Sequence, residues 1–478
     1  MNLGENAAPA RVSASTVALL FARQRQARER DGGLDHGQRM DALAALGRML
    51  REHADELAAA IDRDFEGRSR DETRVLELFP SLSTIAHARR HLRAWMRPRR
   101  APTGLWFLPG RSSVMPQPLG IAGIVVPWNY PLYLAIGPVV AALSAGNRVM
   151  VKMSEAAPLL GQLLERLVAA RFSPDVLAIV NGGPDVAREF TSLPFDHLLF
   201  TGSSAVGKEV MRAAAANLTP VTLELGGKSP AIVGRGIDVS EAAGRIMFGK
   251  CLNAGQTCIA PDYVLVPEEQ VEAFVSAARA AVGKLYPTLR DNPDYTAVIN
   301  ARHRERLAGY LTEARAGGAR VEEINPAAEA LGGSPKMAPT LVIGAPEGSR
   351  LMREEIFGPI LPVVPYARLA DAIAHVNARP RPLALYVFDH DAAAIDEVLA
   401  RTVSGGVTVN ETLLHIAQEE LPFGGVGPSG MGEYHGRAGF DTFSKRKAVF
   451  RQSRLNALKL LRPPYGKRFR AMLALLLR

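Results

Sequence analysis

Short apolar segments that alternate with helical stretches are the feature of this sequence that most restricts its fold. Each segment is bounded by Gly, Pro or polar residues, as short buried strands are: GIAGIVVP (120–127), NRVMVKM (147–153), VLAIVNG (176–182), DHLLFTG (196–202) and TPVTLEL (219–225). Ala- and Leu-rich stretches separate them. This alternation predicts an α/β fold in which helices cover both faces of a parallel sheet. Because such sheets bind ligands beyond the carboxyl ends of their strands, the following loops are the candidate binding sites.

A second alternating region follows the glycine pair Gly226 and Gly227. Its apolar segments are PAIVG (230–234), YVLVP (263–267), LPVVPY (361–366), LALYVF (383–388) and SGGVTVN (404–410). They predict a second α/β domain, with the boundary at the glycine pair. Near the start of the chain, helical spacing predicts an early helix that contains Leu43, Leu46, Leu50, Leu57 and Ile61.

Two cysteines, Cys251 and Cys258, are the only ones in the 478-residue chain, and no CxxC pair or Cys/His cluster lies near them. This spacing indicates neither a disulfide framework nor a structural zinc site, so we expect no metal ion and a reducing cytoplasm. The residues after Met1 do not resemble a targeting segment, and no apolar run approaches the roughly 20 residues that span a bilayer. The sequence predicts a cytoplasmic protein without a transmembrane helix.

The net charge of +9 is concentrated at the end of the chain. Residues 441–478 contain 11 Lys and Arg and one acidic residue, so the rest of the chain is almost neutral. A basic surface for nucleic acid is therefore not indicated. In the tail the basic residues interleave with leucines, which suits a weak contact with a membrane surface. A tail that packs against its own subunit or a neighbour is the simpler interpretation.

The segment FTGSSAVGKEV follows a predicted strand and begins a helix, so its backbone N–H groups can bind a phosphate. Gly202, Gly207 and Lys208 match the start of the P-loop pattern, but Glu209 stands where Mg²⁺ coordination needs a hydroxyl. The dinucleotide pattern GxGxxG is not matched either. Earlier, VKMSE places Lys152, Ser154 and Glu155 after a strand, where they can contact ribose hydroxyls.

Seven motifs, taken together, resemble the aldehyde dehydrogenase superfamily. In chain order they are VPWNYP, VKMSE, FTGSSAVGK, LELGGKSP, NAGQTCIAPDY, EEIFGP and LPFGG. The resemblance covers residues from about 38 to 450. GQTCIAPDYVLV and LTPVTLELGGKSP are similar to the class 3 branch, and the N-terminal third is similar to bacterial coniferyl aldehyde dehydrogenases. One departure is Met153, where the family usually has proline.

The resemblance implies an aldehyde dehydrogenase fold with an atypical Rossmann parallel sheet, a second α/β catalytic domain and a small β bridging element used in homodimers. We expect the dinucleotide-binding domain at 1–100 and 117–225 and the catalytic domain at 226–440. The bridging element would lie at 101–116 and 441–452, followed by the basic tail at 453–478.

The resemblance also implies a set of catalytic residues. Cys258 fills the nucleophile position, because a thiolate can convert a flat aldehyde carbonyl into a tetrahedral adduct. The side-chain amide of Asn129 and the backbone N–H of Cys258 would hold the oxyanion. Glu224 is the first candidate for the base that activates water, since burial in its apolar strand would raise its pKa. Glu355 is the second candidate. Cys251 is interpreted as packing.

The remaining residues are assigned to the cofactor and the substrate. The resemblance places NAD, with NADP as a possible alternative, at Trp128, Lys152, Ser154, Glu155, Gly202, Ser203, Gly207, Glu355 and Phe357. Glu155 favours NAD because it would repel a 2′-phosphate, an effect that Lys152 would partly offset. Tyr130, Ile416 and Phe423 are expected at the pocket mouth and suit an aryl aldehyde such as coniferyl aldehyde.

Four alternatives remain open on the sequence alone. A medium- or long-chain aliphatic aldehyde is the first alternative substrate. A CoA-acylating aldehyde dehydrogenase would need no general base, so Glu224 argues against it. A P-loop ATP-binding protein rests only on the spacing from Gly202 to Lys208. A catalytically inactive, membrane-associated scaffold protein is disfavoured because the chain has Cys258, Asn129 and Glu224 at the catalytic positions.

Overall fold

The computed structural model describes residues 14–456 and 462–477, and in it the predicted strands lie in sheets covered by helices. The strands are β1 (Arg99–Ala101), β2 (Arg111–Pro118), β3 (Ile121–Val125), β4 (Arg148–Lys152), β5 (Leu177–Val180), β6 (His197–Thr201), β7 (Val221–Glu224), β8 (Pro230–Val233), β9 (Tyr263–Pro267), β10 (Arg320–Glu323), β11 (Thr340–Ile343), β12 (Ile360–Tyr366), β13 (Ala384–Phe388), β14 (Gly406–Val409), β15 (Gly430–Met431) and β16 (Ser444–Arg451). All ten predicted strands are present.

The helices fill the intervals between strands, as the alternating pattern predicts. They are α1 (Ala14–Asp31), α2 (His36–Glu52), α3 (Ala54–Asp64), α4 (Arg70–Thr73), α5 (Phe79–Trp95), α6 (Tyr133–Ala145), α7 (Pro158–Ala169), α8 (Pro184–Thr191), α9 (Ser204–Ala215), α10 (Val239–Cys251), α11 (Val271–Leu285), α12 (Ala301–Ala316), α13 (Arg350–Arg353), α14 (Leu369–Asn377), α15 (Ala392–Arg401), α16 (Gly436–Thr442) and α17 (Lys467–Leu476). A π-helical segment, Arg74–Leu78, joins α4 to α5.

The first large sheet has six strands in the order β15-β7-β6-β3-β4-β5. Its strands pair in parallel, except that β15 runs antiparallel to β7. Every residue of α6 is buried, because this helix lies between the sheet and the N-terminal helices α2 and α5. The predicted α/β class with a parallel sheet is confirmed, with one short antiparallel edge added.

The second large sheet has seven strands in the order β10-β11-β12-β9-β8-β13-β14, and only the β10/β11 pair is antiparallel. The sequence pattern did not indicate β10, whose residues Arg-Val-Glu-Glu are charged and partly exposed at the sheet edge. A separate three-stranded antiparallel sheet has the order β1-β2-β16. Its strands fall largely within the two segments expected to form the bridging element.

The early helix differs from the prediction. Its apolar residues are divided between α2 and α3, because His53 leaves the helical conformation with φ −117° and ψ 22°. All five predicted core residues are nevertheless fully buried.

In its described part the basic tail has exposed and partly buried side chains and none that is fully buried, so its packing against its own subunit stays a prediction. Residues 1–13 at the start of the expected dinucleotide-binding domain, and 457–461 and 478 within the tail, lie outside the described residues. None of the helices in the described ranges combines the length and the apolar character needed to cross a bilayer.

Candidate active site

Glu224 is the last residue of β7, at the carboxyl edge of the six-stranded sheet. Its backbone is fixed on both sides: its carbonyl accepts a 3.0 Å hydrogen bond from Gly202 N–H, and it lies opposite Gly430 of β15. The side chain is 2% exposed, and in the described part of the chain neither carboxylate oxygen has a hydrogen-bond partner. Burial, with the nearby charge of Glu433, raises the pKa of Glu224 well above its usual value.

The loop before Cys258 has an unusual backbone. Asn253, Ala254 and Gly255 follow one another with φ of 50°, 51° and 73°. Only glycine fits the third position, because a Cβ there would lie 2.3 Å from the carbonyl oxygen of Gly358. Left-handed conformations at non-glycine residues cost free energy and persist only where neighbouring groups hold them.

Gln256 provides much of that support. Its side-chain nitrogen donates to the carbonyls of Asn253 and Ala297, both at 2.9 Å, and its side-chain oxygen accepts from Ile299 N–H at 2.9 Å. The side chain is fully buried, so these bonds satisfy it without water. The hydrogen bonds of the Gln256 side chain therefore hold the backbone that leads to Cys258.

Asn129 lies against this loop, in the turn between β3 and α6. Its side-chain nitrogen donates one hydrogen bond, 3.1 Å long, to the carbonyl of Gln256. An amide nitrogen carries two hydrogens, so a second donor is available for another acceptor. The carbonyl of Asn129 accepts from Asn253 at 3.1 Å and from Arg68 at 2.6 Å. These hydrogen bonds join the turn that contains Asn129 to the loop that precedes Cys258, about 125 residues later in the sequence.

Cys258 is partly exposed, unlike Cys251, which is fully buried in the apolar core. Burial raises the pKa of the Cys258 thiol, and the carboxylates of Glu355 and then Glu224 raise it further. Both carboxylates therefore lie close enough to the sulfur for their negative charges to disfavour loss of the thiol proton. A thiol with a raised pKa needs a neighbouring base to become a nucleophile, and two carboxylates are present for that task.

Glu355 follows the short helix α13 and lies against Gly226, where a Cβ would be 2.0 Å from one of its carboxylate oxygens. Burial and the charge of Asp262 raise the pKa of Glu355 to about 8. Within the described residues, its Oε1 atom is buried without a hydrogen-bond partner.

The segment that carries Glu355 is held by a buried ion pair between Lys228 and Asp262. Lys228 also donates to the carbonyl of Glu354 at 3.0 Å, and Asp262 accepts from Ile356 N–H at 2.9 Å. These contacts fix the backbone on both sides of Glu355.

The expected cofactor loop has the geometry of an anion-binding helix start. Gly202 and Ser203 lie between β6 and α9, and the Ser203 side chain caps the helix by accepting from Val206 N–H at 3.4 Å. Residues 203, 205 and 206 are exposed, so the first turn of the helix faces solvent. Gly207 is required for packing, because a Cβ there would lie 2.7 Å from the Leu225 side chain.

The VKMSE residues are distributed over the end of β4 and the turn after it. Lys152 is buried and its ammonium donates to the Met153 carbonyl at 2.6 Å, while burial lowers its pKa. Ser154 caps the following turn by accepting from Ala156 N–H at 3.3 Å, and Glu155 is exposed. An exposed carboxylate after a strand fits ribose recognition, and the unpartnered oxygen of Glu355 fits a second hydroxyl.

Trp128 and Phe357 meet at the site, with ring centroids 5.3 Å apart and an edge-to-face arrangement. Phe357 has a φ of 50°, a strained conformation for an aromatic residue.

Tyr130 and Phe423 lie deeper than the pocket mouth at which we expected them. Tyr130 is 9% exposed, with the Arg68 guanidinium 4.8 Å from its ring centre and its hydroxyl 2.7 Å from the Thr257 hydroxyl. Phe423 is 5% exposed and stacks on His435 at 5.3 Å. Ile416 is partly buried. Tyr130 is buried by its contacts with Arg68 and Thr257, and Phe423 is buried by its stacking on His435. The contact of all three residues with the substrate stays a prediction.

No sequence pattern indicated the buried ionic network beneath Asn129. Arg68 pairs with Glu77 at 3.1 Å with both side chains fully buried, and Glu77 accepts from the N–H groups of Leu132 and Tyr133 at 2.8 and 3.1 Å. In the sequence RSRDETRVLEL these charges look like an exposed helix face. Their burial depends on partners more than 50 residues away, which local spacing does not indicate.

The sheet order together with the cysteine, two carboxylates and amide defines a known class of protein. The chain belongs to the aldehyde dehydrogenase family: the family model described as "Aldehyde dehydrogenase family" matches residues 6–449. A relative from Pseudomonas aeruginosa named "Probable coniferyl aldehyde dehydrogenase" is 55% identical over 451 residues, which cover 94% of each chain.

Solved structures support the fold assignment. The substrate-bound state of Staphylococcus aureus AldH has a TM-score of 0.91 and 35% identity, covering 96% of this chain and 99% of the other. The Mycobacterium tuberculosis aldehyde dehydrogenase complexed with NAD+ has a TM-score of 0.83 and 29% identity, covering 92% and 90%. The expected family and fold are confirmed, and with them the oxidation of aldehydes with NAD(P).

Proposed function

We propose that this enzyme oxidises an aryl aldehyde of the coniferyl type to its carboxylic acid, with NAD as cofactor and Cys258 as nucleophile. The observation that supports the proposal is that the carboxylates of Glu355 and Glu224 lie near the Cys258 thiol, while the Asn129 amide donates to the carbonyl of Gln256, two residues before Cys258. The coniferyl substrate is supported by the name of the 55% identical relative.

The first step is attack of Cys258 on the aldehyde. The thiol gives its proton to a neighbouring carboxylate, for which Glu355 is the candidate, and the resulting thiolate forms a C–S bond to the carbonyl carbon. The carbonyl π electrons move to oxygen. The second N–H of Asn129 and the backbone N–H of Cys258 then hold this oxyanion, which is stabilised because the donors are already fixed by the Gln256 and Arg68 contacts.

A bound NAD would supply the acceptor for the hydride of the tetrahedral adduct. The residues that would hold it are the exposed first turn of α9 after Gly202 and Ser203, the carboxylates of Glu155 and Glu355, and Trp128 and Phe357 beside them, with Lys152, Ser154 and Gly207 shaping the same surface. The solvent-facing N–H groups of α9 suit its phosphates, and the unpartnered oxygen of Glu355 suits a ribose hydroxyl.

Hydrolysis of the Cys258 thioester is the task of Glu224. The carboxylate removes a proton from water, the hydroxide adds to the thioester carbon, and the C–S bond breaks to release the acid and the thiolate. A general base works best when its pKa lies near the operating pH, and burial moves the pKa of Glu224 in that direction. Glu355, with a pKa of about 8, is the second candidate for the same role.

The test follows NADH and NADPH formation by absorbance with a panel of aryl and alkyl aldehydes. We expect coniferyl-type aldehydes to give the highest kcat/KM and NAD to be preferred. Cys258→Ala should abolish turnover, whereas the matched control Cys251→Ala should keep it because Cys251 lies in the core. Turnover by Cys258→Ala would overturn the mechanism. A preference for long alkyl aldehydes would overturn the substrate assignment.

Two further measurements, of the acid product and of ATP hydrolysis, decide between two rival activities. Acid formation without added CoA would exclude a CoA-acylating enzyme, and hydrolysis of ATP with Mg²⁺ would support a P-loop function instead.

We also propose a cytoplasmic protein whose basic tail binds weakly to anionic membrane surfaces. Helix α17 carries Lys467, Arg468 and Arg470 together with Leu475, which is 63% exposed, and Leu477 directly after the helix is 78% exposed. Cations and exposed leucines on one short helix favour the surface of an anionic bilayer. Sedimentation with phosphatidylserine vesicles should retain the full chain more than a chain lacking residues 453–478, and equal retention would contradict this role.

A further inference from the structure

Two histidines and a glutamate form a compact cluster on the surface of α5, away from Cys258. His87 and His91 lie one helical turn apart, with ring centroids 4.2 Å apart. Glu420, from the segment before Phe423, places its Oε1 atom 3.3 Å from Nε2 of His87. One ligand atom from each of the three residues can be chosen so that all lie within 4.8 Å of one another. Glu420 is more than 300 residues from the histidines, so sequence spacing gives no indication of the cluster.

The hydrogen bonds of the cluster leave metal-binding nitrogens free. Nδ1 of His91 lies 2.9 Å from the carbonyl oxygen of His87. A carbonyl oxygen only accepts, so Nδ1 carries the hydrogen and Nε2 of His91 keeps its lone pair. In the described ranges, Nε2 of His87 is buried and makes no hydrogen bond, and its ion-pair neighbour at 3.3 Å is Oε1 of Glu420, the third proposed ligand. A backbone carbonyl that orients one ring nitrogen is the usual support for a histidine whose other nitrogen binds a metal.

We propose that His87, His91 and Glu420 bind one divalent transition-metal ion, with Zn²⁺ as the reference ion. Two imidazoles and one carboxylate are a ligand set that suits zinc and its neighbours. Zinc–ligand bonds of about 2.0 to 2.2 Å bring tetrahedral ligand atoms to about 3.4 Å from one another. The present separations, up to 4.8 Å, need to close by up to about 1.4 Å, and the Glu420 side chain, 71% exposed, has room to move.

The site would join two parts of the enzyme. Glu419, the neighbour of Glu420, already accepts a hydrogen bond from Thr84, one turn earlier on α5. A metal ion on His87 and His91 would add a second and stronger link between α5 and the segment that carries Ile416. The binding itself does not depend on the proposed substrate.

The test is calorimetric titration of the tag-free Cys258→Ala protein with zinc chloride, in which the reactive thiol no longer competes for the metal. We expect one ion per chain. His91→Gln and Glu420→Gln should each weaken binding by about 10- to 100-fold or more, because even outer partners of metal ligands have effects of this size. The matched control is His390→Gln, since His390 lies 4.0 Å from a carboxylate oxygen of Glu241 in an ordinary surface pair; it should leave binding unchanged.

A second measurement uses Trp95, whose ring stacks on His91 at 5.9 Å. Cu²⁺ should quench tryptophan fluorescence in the parent protein and do so much less in His91→Gln. Equal zinc affinity in the parent, His91→Gln and Glu420→Gln would overturn the proposal. So would a loss of affinity in His390→Gln as large as that in His91→Gln. Glu420→Gln keeps the test valid if a histidine variant is unstable, because Glu420 is exposed.

Discussion

Glu224 and Glu355 are two acids that face one thiol but differ in their surroundings. Glu224 ends a buried strand and has no hydrogen-bond partner in the described chain, while Glu355 lies in a loop fixed by Lys228 and Asp262. Both carboxylate oxygens of Glu224 lack a hydrogen-bond partner in the described chain, whereas for Glu355 only Oε1 does, and we propose that this difference makes Glu224 the base that acts on water. Two substitutions test this division.

The variant Glu224→Gln should still form the Cys258 thioester and NADH but should hydrolyse the thioester much more slowly. We expect an initial burst of about one NADH per active site, followed by a steady rate lower by about 10²- to 10⁴-fold, the usual contribution of a general base. Stopped-flow absorbance measures both phases. Glu433→Gln is the control, because Glu433 is exposed and affects Glu224 only through its charge. A variant without a burst would assign Glu224 to thiol activation instead.

Glu355→Gln should change how stability depends on pH. The pKa of Glu355 is raised from 4.5 to about 8 in the folded protein, so its contribution is most favourable below pH 4.5 and is lost as the pH rises to 8. Glutamine does not ionise. The variant should therefore gain stability relative to wild type across this window, by at most a few kcal/mol, since one pKa unit corresponds to about 1.4 kcal/mol.

Urea unfolding at pH 5, 7 and 9 measures this gain, with the exposed neighbour Glu354→Gln as control. A gain that is constant or falls with pH would show that Glu355 is not held with a raised pKa.

The strands could be predicted from the sequence, but the break in the N-terminal helix and the buried charges that support the active site could not. Strands such as β3, β4 and β6 are buried over most or all of their length, so they appear in the sequence as continuous apolar runs. The break between α2 and α3 at His53 has no Pro or Gly to mark it. Arg68 and Glu77 look like surface charges, because only the fold brings them beneath Asn129.

The prediction of the active site was limited in the same way, because contacts between distant parts of the chain leave no local sequence pattern. Cys258, Asn129 and Glu224 were accessible through motifs, since each stands in a recognisable short segment. Gln256 also stands in such a segment, but two of its three side-chain hydrogen bonds join it to Ala297 and Ile299, which no motif contains. Positioning groups of this kind depend on tertiary contacts and become visible only in the structure.

Arg68→Met tests whether the N-terminal helices position the oxyanion donor. Removing one partner of a fully buried ion pair costs about 3–5 kcal/mol, and here it also frees the carbonyl of Asn129. We expect lower stability in urea and a fall in kcat larger than the rise in KM. Arg68→Lys should recover part of both. Arg70→Met, which breaks only an exposed pair with Asp62, is the control. Unchanged kcat in a folded Arg68→Met would limit Arg68 to stability.

At the scale of the whole molecule, the three-stranded sheet stands apart from the two large sheets and carries an exposed apolar surface. Residues 105–108, in the turn between β1 and β2, are 74%, 57%, 47% and 49% exposed, and Phe450 of β16 is 48% exposed. The rings of Phe107 and Phe450 lie 6.2 Å apart, so the exposed side chains form one patch. A contiguous apolar patch on the surface of a protein indicates an interface with another protein.

We therefore expect a homodimer whose interface includes this patch, in line with the bridging role predicted for 101–116 and 441–452. A charge at the centre of an apolar interface is left without solvation when the subunits associate. Trp106→Asp combined with Phe450→Asp should shift the protein from dimer to monomer in light scattering coupled to size-exclusion chromatography. Leu218→Asp is the control, since Leu218 is 90% exposed at another surface. A dimer that survives the double substitution with unchanged dissociation constant would place the interface elsewhere on the molecule.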